Sequence, residues 1–137
     1  MSETTPKNLP VPAVFPQTAI TMGDVQVISS TDELFNHVDD NLPMWAEDGD
    51  RLVSLDILFT KPFKQAPAVT LGLSGIDGAT DTNLRFWLHA KNVTAKGFTI
   101  EFSTWYDTHI ARASVSWQAI GHVKPDILAK ASSATKK

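Results

Sequence analysis

From Arg51 to Ala119 the chain alternates apolar and polar residues with a period of two, in run after run. Val53, Leu55, Ile57 and Phe59 alternate with Ser54, Asp56 and Leu58. Val69, Leu71 and Leu73 alternate with Thr70, Gly72 and Ser74. Leu84, Phe86, Leu88 and Ala90 alternate with Arg85, Trp87, His89 and Lys91. Phe98, Ile100 and Phe102 are interleaved with Thr99, Glu101 and Ser103, and Ala111, Ala113, Val115, Trp117 and Ala119 with Arg112, Ser114, Ser116 and Gln118. Successive side chains of a strand point to opposite faces, so each run predicts a strand with one buried face. Turn signals at Lys61-Pro62, Asp77-Gly78, Lys96-Gly97 and Asp107-Thr108 separate the runs. A further strand starts near Gly23 and runs through Val25 and Val27. No helix is long enough for a parallel crossover unit. The pattern therefore predicts an all-β chain, a six-stranded antiparallel β-sandwich with an extended N-terminal arm.

The flanks differ from this body. Pro6, Pro10, Pro12 and Pro16 fall in the first 20 residues, and proline has no N–H for a ladder. Residues 1–20 read as an extended arm, 21–123 as the sandwich and the Lys/Ala/Ser-rich 124–137 as a frayed tail. Between the first strand and Arg51, residues Thr31 to Val38 are expected to form a short helical turn. Pro43 and the acidic run Glu47-Asp48-Gly49-Asp50 then break the chain.

At 137 residues the length fits one domain with a real core. A net charge of −3 offers no basic field for a nucleic-acid backbone. The absence of cysteine excludes disulfide scaffolds, thiolate zinc sites and a cysteine nucleophile. No apolar run is long enough to insert in a membrane. The first residues lack the basic and apolar regions of a signal peptide, so the chain is expected in the cytosol, released unconventionally, or in a virion.

Two aromatic groups bear on function. Arg85, Trp87, His89 and Lys91 share the outer face of one strand by parity, and a solvated face rarely carries a Trp. Such a Trp marks a subunit interface or a ligand platform. Trp105-Tyr106-Asp107-Thr108-His109 lies between two strand patterns, so it is a loop with at least one aromatic ring exposed. An exposed ring beside carboxylate and imidazole groups suits a sugar, whose apolar face stacks while its hydroxyls are read by hydrogen bonds. Asp77, Asp81 and Asn83 place oxygen ligands at calcium-like spacing, without the bidentate Glu of an EF-hand loop. His37, His89, His109 and His122 form no metal-binding spacing. No nucleophile, phosphate-loop or dinucleotide motif is present, and no spacing brings Glu101 and Asp107 to one cleft as a glycosidase pair. The chain is read as a binding protein rather than an enzyme. Trp117, in phase with Val115 and Ala119, is expected in the core.

Four segments between Arg51 and Gly121 resemble the H-type lectin domain, the fold of snail agglutinins and of the discoidin C-terminal domain. They are Phe59-Thr60-Lys61-Pro62-Phe63 with Pro67-Ala68-Val69, Asn92 to Phe98, Thr104-Trp105-Tyr106-Asp107-Thr108, and Val115-Ser116-Trp117-Gln118-Ala119-Ile120-Gly121. The resemblance implies a sandwich that assembles as a C3 homotrimer and recognises galactose or N-acetylgalactosamine-type glycans between subunits. It also implies that Trp105 stacks on the sugar, with Tyr106 where the family often has His. An acidic residue of the preceding loop, Asp48 or Asp50, would accept hydrogen bonds from sugar hydroxyls. The family's outer-strand arginine and aromatic fall on His89 and Lys91, which removes a bidentate donor. Trp87, Arg85 and Arg112 are the expected trimer contacts; no cofactor is expected, and the spacing alone marks Asp77 with Asp81 as where calcium would sit if it bound. The expected role is cell-surface adhesion. The alternative is a structural head or spike subunit of a virion or surface fibre, joined to a larger assembly by residues 1–20.

Overall fold

The computed structural model describes residues 15–125. In chain order its elements are β1 (Thr18–Met22), β2 (Val25–Asn36), a single helical turn α1 (Pro43–Ala46), β3 (Arg51–Leu58), β4 (Ala68–Gly78), β5 (Phe86–Lys91), β6 (Gly97–Thr104) and β7 (Ile110–His122). One sheet runs β1-β2-β7-β4 and the other β3-β6-β5. Every pairing is antiparallel. The two inner faces share one core, as a sandwich requires.

The apolar half of each alternating run points inward, except Leu84, which precedes β5 and is 56% exposed. Val53, Leu55, Ile57, Phe98, Ile100 and Phe102 come from one sheet, and Ile28, Val115, Trp117 and Ala119 from the other. Aromatic rings knit the layers together: Phe98 meets Trp117 edge-on at 5.1 Å, and Phe102 touches both Phe35 and Phe86 at 5.2 Å. Gly97 opens β6 where a Cβ would lie 2.0 Å from the Ile57 carbonyl oxygen, so only glycine fits there.

The structure departs from the expected architecture in two places. Among the described residues there are seven strands rather than six, because β1 begins in the segment read as arm. Gly23, at φ +62, and Asp24 turn β1 back onto β2, with Met22 opposite Val25. Phe15 is buried in the core, its N–H donates to Asp32 Oδ2 at 3.1 Å, and the Pro16 carbonyl accepts from the Ser30 hydroxyl at 2.7 Å. Proline lacks a donor but keeps its acceptor. The boundary expected at residue 20 therefore falls inside the sandwich. Residues 1–14 of the arm and 126–137 of the tail lie outside the described residues, and the expected anchoring role of the arm lies there with them.

The second departure is the helical turn expected over Thr31 to Val38, where Thr31 to Asn36 are instead the second half of β2. The register slips between Glu33 and Phe35, leaving Leu34 as the extra residue of a bulge. Leu34 and Phe35 are consequently both buried. Two adjacent buried apolar residues break a period of two and imitate a helical pattern.

Candidate functional site

Residues 105–109 connect β6 to β7 at the end of the sandwich where β3 and β5 begin. Arg51, the first residue of β3, holds this loop from beneath. Its Nε donates to the Gly49 carbonyl at 2.7 Å, Nη1 to the Thr108 carbonyl at 2.6 Å, and Nη2 to the Tyr106 carbonyl at 3.1 Å. The Gly49 N–H donates to the Tyr106 carbonyl at 2.8 Å, tying the acidic loop to the aromatic one. The planar, multi-donor guanidinium suits such a cluster of carbonyls. Arg51 is 8% exposed. Burial lowers its pKa, and the charges of Asp48, Glu47 and Asp50 oppose that shift. Tyr106 has φ 61, a left-handed conformation that costs a non-glycine residue energy. The two bonds to its carbonyl hold it there.

Thr108 is a second clamp. Its fully buried hydroxyl donates to the Asn83 carbonyl at 2.6 Å and accepts from the Arg85 N–H at 2.9 Å. The Thr104 hydroxyl donates to the Arg85 carbonyl. Together they hold the chain entering β5 against the loop.

On this frame stands a compact polar and aromatic group. Asp107 accepts from Arg85 Nη1 at 3.3 Å and from Asn83 Nδ2 at 3.2 and 3.3 Å. The Arg85 guanidinium lies over the Tyr106 ring at 5.3 Å, and Tyr106 is 65% exposed. The half-buried Trp105 indole faces Trp87 at 6.4 Å, with their planes 25° apart. On the other flank of the loop, His109 Nε2 meets Asp48 Oδ1 at 2.8 Å, and the His109 ring sits edge-on to Trp45 at 6.5 Å. Trp45 belongs to α1, which His37 fastens: its Nδ1 accepts from the Met44 N–H at 3.0 Å. Burial pushes the half-buried His37 down to about 4, so its imidazole is neutral and free to accept.

The residues singled out from sequence fall into groups. Trp105 and Tyr106 lie together, with Asp48 reaching the same loop through His109. Asp50 is exposed, and its charge favours protonated Arg51. His89 stands farther along the outer face of β5, 5.9 Å from Trp87, and Lys91 pairs with Glu101 at 3.3 Å. The expected trimer contacts separate: Arg85 joins the loop cluster, Trp87 stands beside Trp105, and Arg112 lies on the other sheet beside Asp77 at 3.6 Å. The Asp77 carboxylate thus faces a guanidinium, while Asp81 is exposed in the following loop. Among the described residues no group of three or more His, Asp or Glu side chains is placed to share a metal ion.

Sequence reasoning passed over Arg51 and Thr108 as functional residues and read Asn83 only as an oxygen ligand at calcium-like spacing. A signal existed for Arg51: it is in phase with Val53 and Leu55, so parity puts a charge on the buried face. No comparable signal marks Thr108, whose partners lie 23 and 25 residues away.

Residues 54–120 match the model of the H-type lectin domain. A curated relative described as "ATP synthase subunits region ORF 7" of Fuscovulum blasticum is 46% identical over 93 residues, which is 68% of this chain and 81% of the relative. Among solved structures, native recombinant discoidin II of Dictyostelium discoideum superposes with a TM-score of 0.62 at 20% identity, covering 75% of this chain and 39% of that one. Wild-type discoidin II gives 0.63 at the same identity and coverage. The chain thus spans about two fifths of the length of discoidin II, and likeness at this identity bears on the fold alone.

Proposed function

This chain belongs to the H-type lectin domain family, and we propose that it binds glycans through the loop cluster of residues 83–85 and 105–109. The observation that carries this reading is the Asn83–Asp107–Arg85 network set against the exposed Tyr106 ring. A pyranose has an apolar face and a rim of hydroxyls. Trp105 and Tyr106 supply the stacking surface. Arg85 donates to ring substituents, while Asp107 and Asp48 accept from hydroxyls. An unpaired buried polar group costs about 1–3 kcal/mol, so a few such groups set specificity. In line with the family, the sugar is of the galactose or N-acetylgalactosamine type.

The protein acts as a homotrimer in adhesion to glycan-bearing surfaces. The outer face of the four-stranded sheet supports an assembly. There Ile20, Val27, Ile120 and Ala68 form one cross-strand row, with Met22 also exposed. Contiguous exposed apolar side chains mark interaction surfaces. Three sites on one particle raise avidity by roughly 10²–10⁴ where ligand spacing allows.

A glycan array tests the reading, with wild type, Trp105→Ala and Arg85→Ala each probed in calcium and in chelator. Binding to galactose-type glycans by wild type, lost in both variants, is the expected result. Loss on chelation alone would move the site to Asp77 and Asp81. No binding to any glycan by folded wild type overturns the proposal. Light scattering reads the assembly, and a monomeric mass overturns the trimer.

A further inference from the structure

The outer face of β5 and β6 carries more aromatic surface than one sugar ring needs. Trp87 is 61% exposed on a sheet face that no other element covers among the described residues. It stands between Trp105 at 6.4 Å and His89 at 5.9 Å, so three rings follow one another away from the loop cluster. The Trp87 and Trp105 planes are nearly parallel, at 25°. Polar groups flank the row: Ser103 is directly opposite Trp87, and Glu101 is opposite His89. Lys91, paired with Glu101, closes the far end. Residues 87 to 91 span roughly 13 Å at the rise of a strand, the scale of a short oligosaccharide.

We propose that this row is an extended subsite, centred on Trp87, that holds the second saccharide unit of a neutral oligosaccharide whose terminal sugar sits at Trp105 and Tyr106. The inference rests on the glycan-binding reading above. Charge selects the ligand: Arg85 is neutralised by Asp107 and Lys91 by Glu101, leaving no unpaired cation for a sialic or uronic acid. The surroundings of Trp87 also speak against a protein partner there. Interface cores are depleted of charged residues, whereas this face interleaves Trp87 with His89, Glu101 and Lys91. The apolar row suited to a second subunit is on the opposite sheet.

The test is calorimetric titration of wild type, Trp87→Ala and Trp105→Ala with two probes. One is methyl N-acetylgalactosaminide, and the other is a linear neutral trisaccharide ending in the same sugar. Wild type is expected to bind the trisaccharide about 3- to 10-fold more tightly, the value of one added aromatic contact. Trp87→Ala should abolish that advantage and leave the monosaccharide Kd unchanged, while Trp105→Ala should weaken both ligands. Equal loss of both ligands in Trp87→Ala overturns the subsite, as does an undiminished trisaccharide advantage. A change of oligomeric mass in Trp87→Ala also overturns it, by making Trp87 an interface residue. If wild type binds neither probe nor any arrayed glycan, the glycan-binding reading fails and takes the subsite with it. Monosaccharide binding without a trisaccharide advantage refutes the subsite alone.

Discussion

Replacing Arg51 with methionine should loosen the binding loops without unfolding the sandwich. The side chain keeps similar volume but loses every donor. Three short bonds go, to the carbonyls of Gly49, Thr108 and Tyr106 at 2.7, 2.6 and 3.1 Å. Bonds from a charged donor contribute about 1.5–3 kcal/mol each, and a carbonyl left buried without a partner costs about 1–3 kcal/mol. Two effects reduce the simple sum. Removing a buried charge recovers desolvation energy, and the loop can move to expose its carbonyls to water. A net loss of about 3–4 kcal/mol follows, within the usual total of about 5–15. The core aromatics are untouched, so the sheets should persist.

Urea denaturation followed by tryptophan fluorescence measures the loss. Hydrogen exchange at the Gly49 amide, which donates to the Tyr106 carbonyl at 2.8 Å, reports the loop directly. Protection there should fall while amides of β2 and β7 stay protected. Glycan affinity should drop with it, because Tyr106 loses one of the bonds that hold it at φ 61. Arg51→Lys should be intermediate, since an ammonium cannot serve three carbonyls in a fork. A stability loss under about 1 kcal/mol, with Gly49 protection unchanged, would refute the reasoning, since it rests on these bonds being both buried and strong.

Thr108→Val, close in shape, removes a donor and an acceptor at the entry to β5 and should cost about 1–3 kcal/mol. Thr108→Ser should retain most of the binding, and equal affinities for the two variants would show that the clamp is idle. Gly97→Ala places a Cβ 2.0 Å from the Ile57 carbonyl oxygen, so β3 and β6 must separate; a loss of about 3 kcal/mol or more is expected in thermal melts. His37 predicts an acid dependence. Its pKa is pushed from 6.5 down to about 4, so between those values the unfolded chain binds the extra proton. Its stabilising effect is complete above about pH 6.5 and falls as pH drops towards 4, by about 1–2 kcal/mol once partial solvent exposure is discounted. Denaturation midpoints of wild type and His37→Gln across that window should diverge at neutral pH and converge in acid.

Both the sandwich and its loop cluster follow from one physical contrast, between local pattern and long-range contact. Side-chain parity along a strand is local, so the alternating runs from Val53 to Ala119 placed β3 to β7 and their buried faces in the right phase. It failed where the backbone departed from a simple ladder. The extra residue at Leu34 buried two neighbours in succession and disguised β2. The prolines before Thr18 hid an edge strand that needs few donors of its own. The loop cluster is different in kind. The bond from Arg51 to the Thr108 carbonyl spans 57 residues and that from Thr108 to the Asn83 carbonyl 25, so neither has a local signature. Yet parity carried unused information at the exceptions. An arginine on the inward phase of a strand must find several acceptors, and Arg51 found them in the carbonyls of the loops it joins. A tryptophan on the outward phase of a polar strand must find a flat apolar partner or stay in water. Trp87 has Trp105 at 6.4 Å and His89 at 5.9 Å beside it, and these neighbours are the ground for the saccharide subsite proposed there.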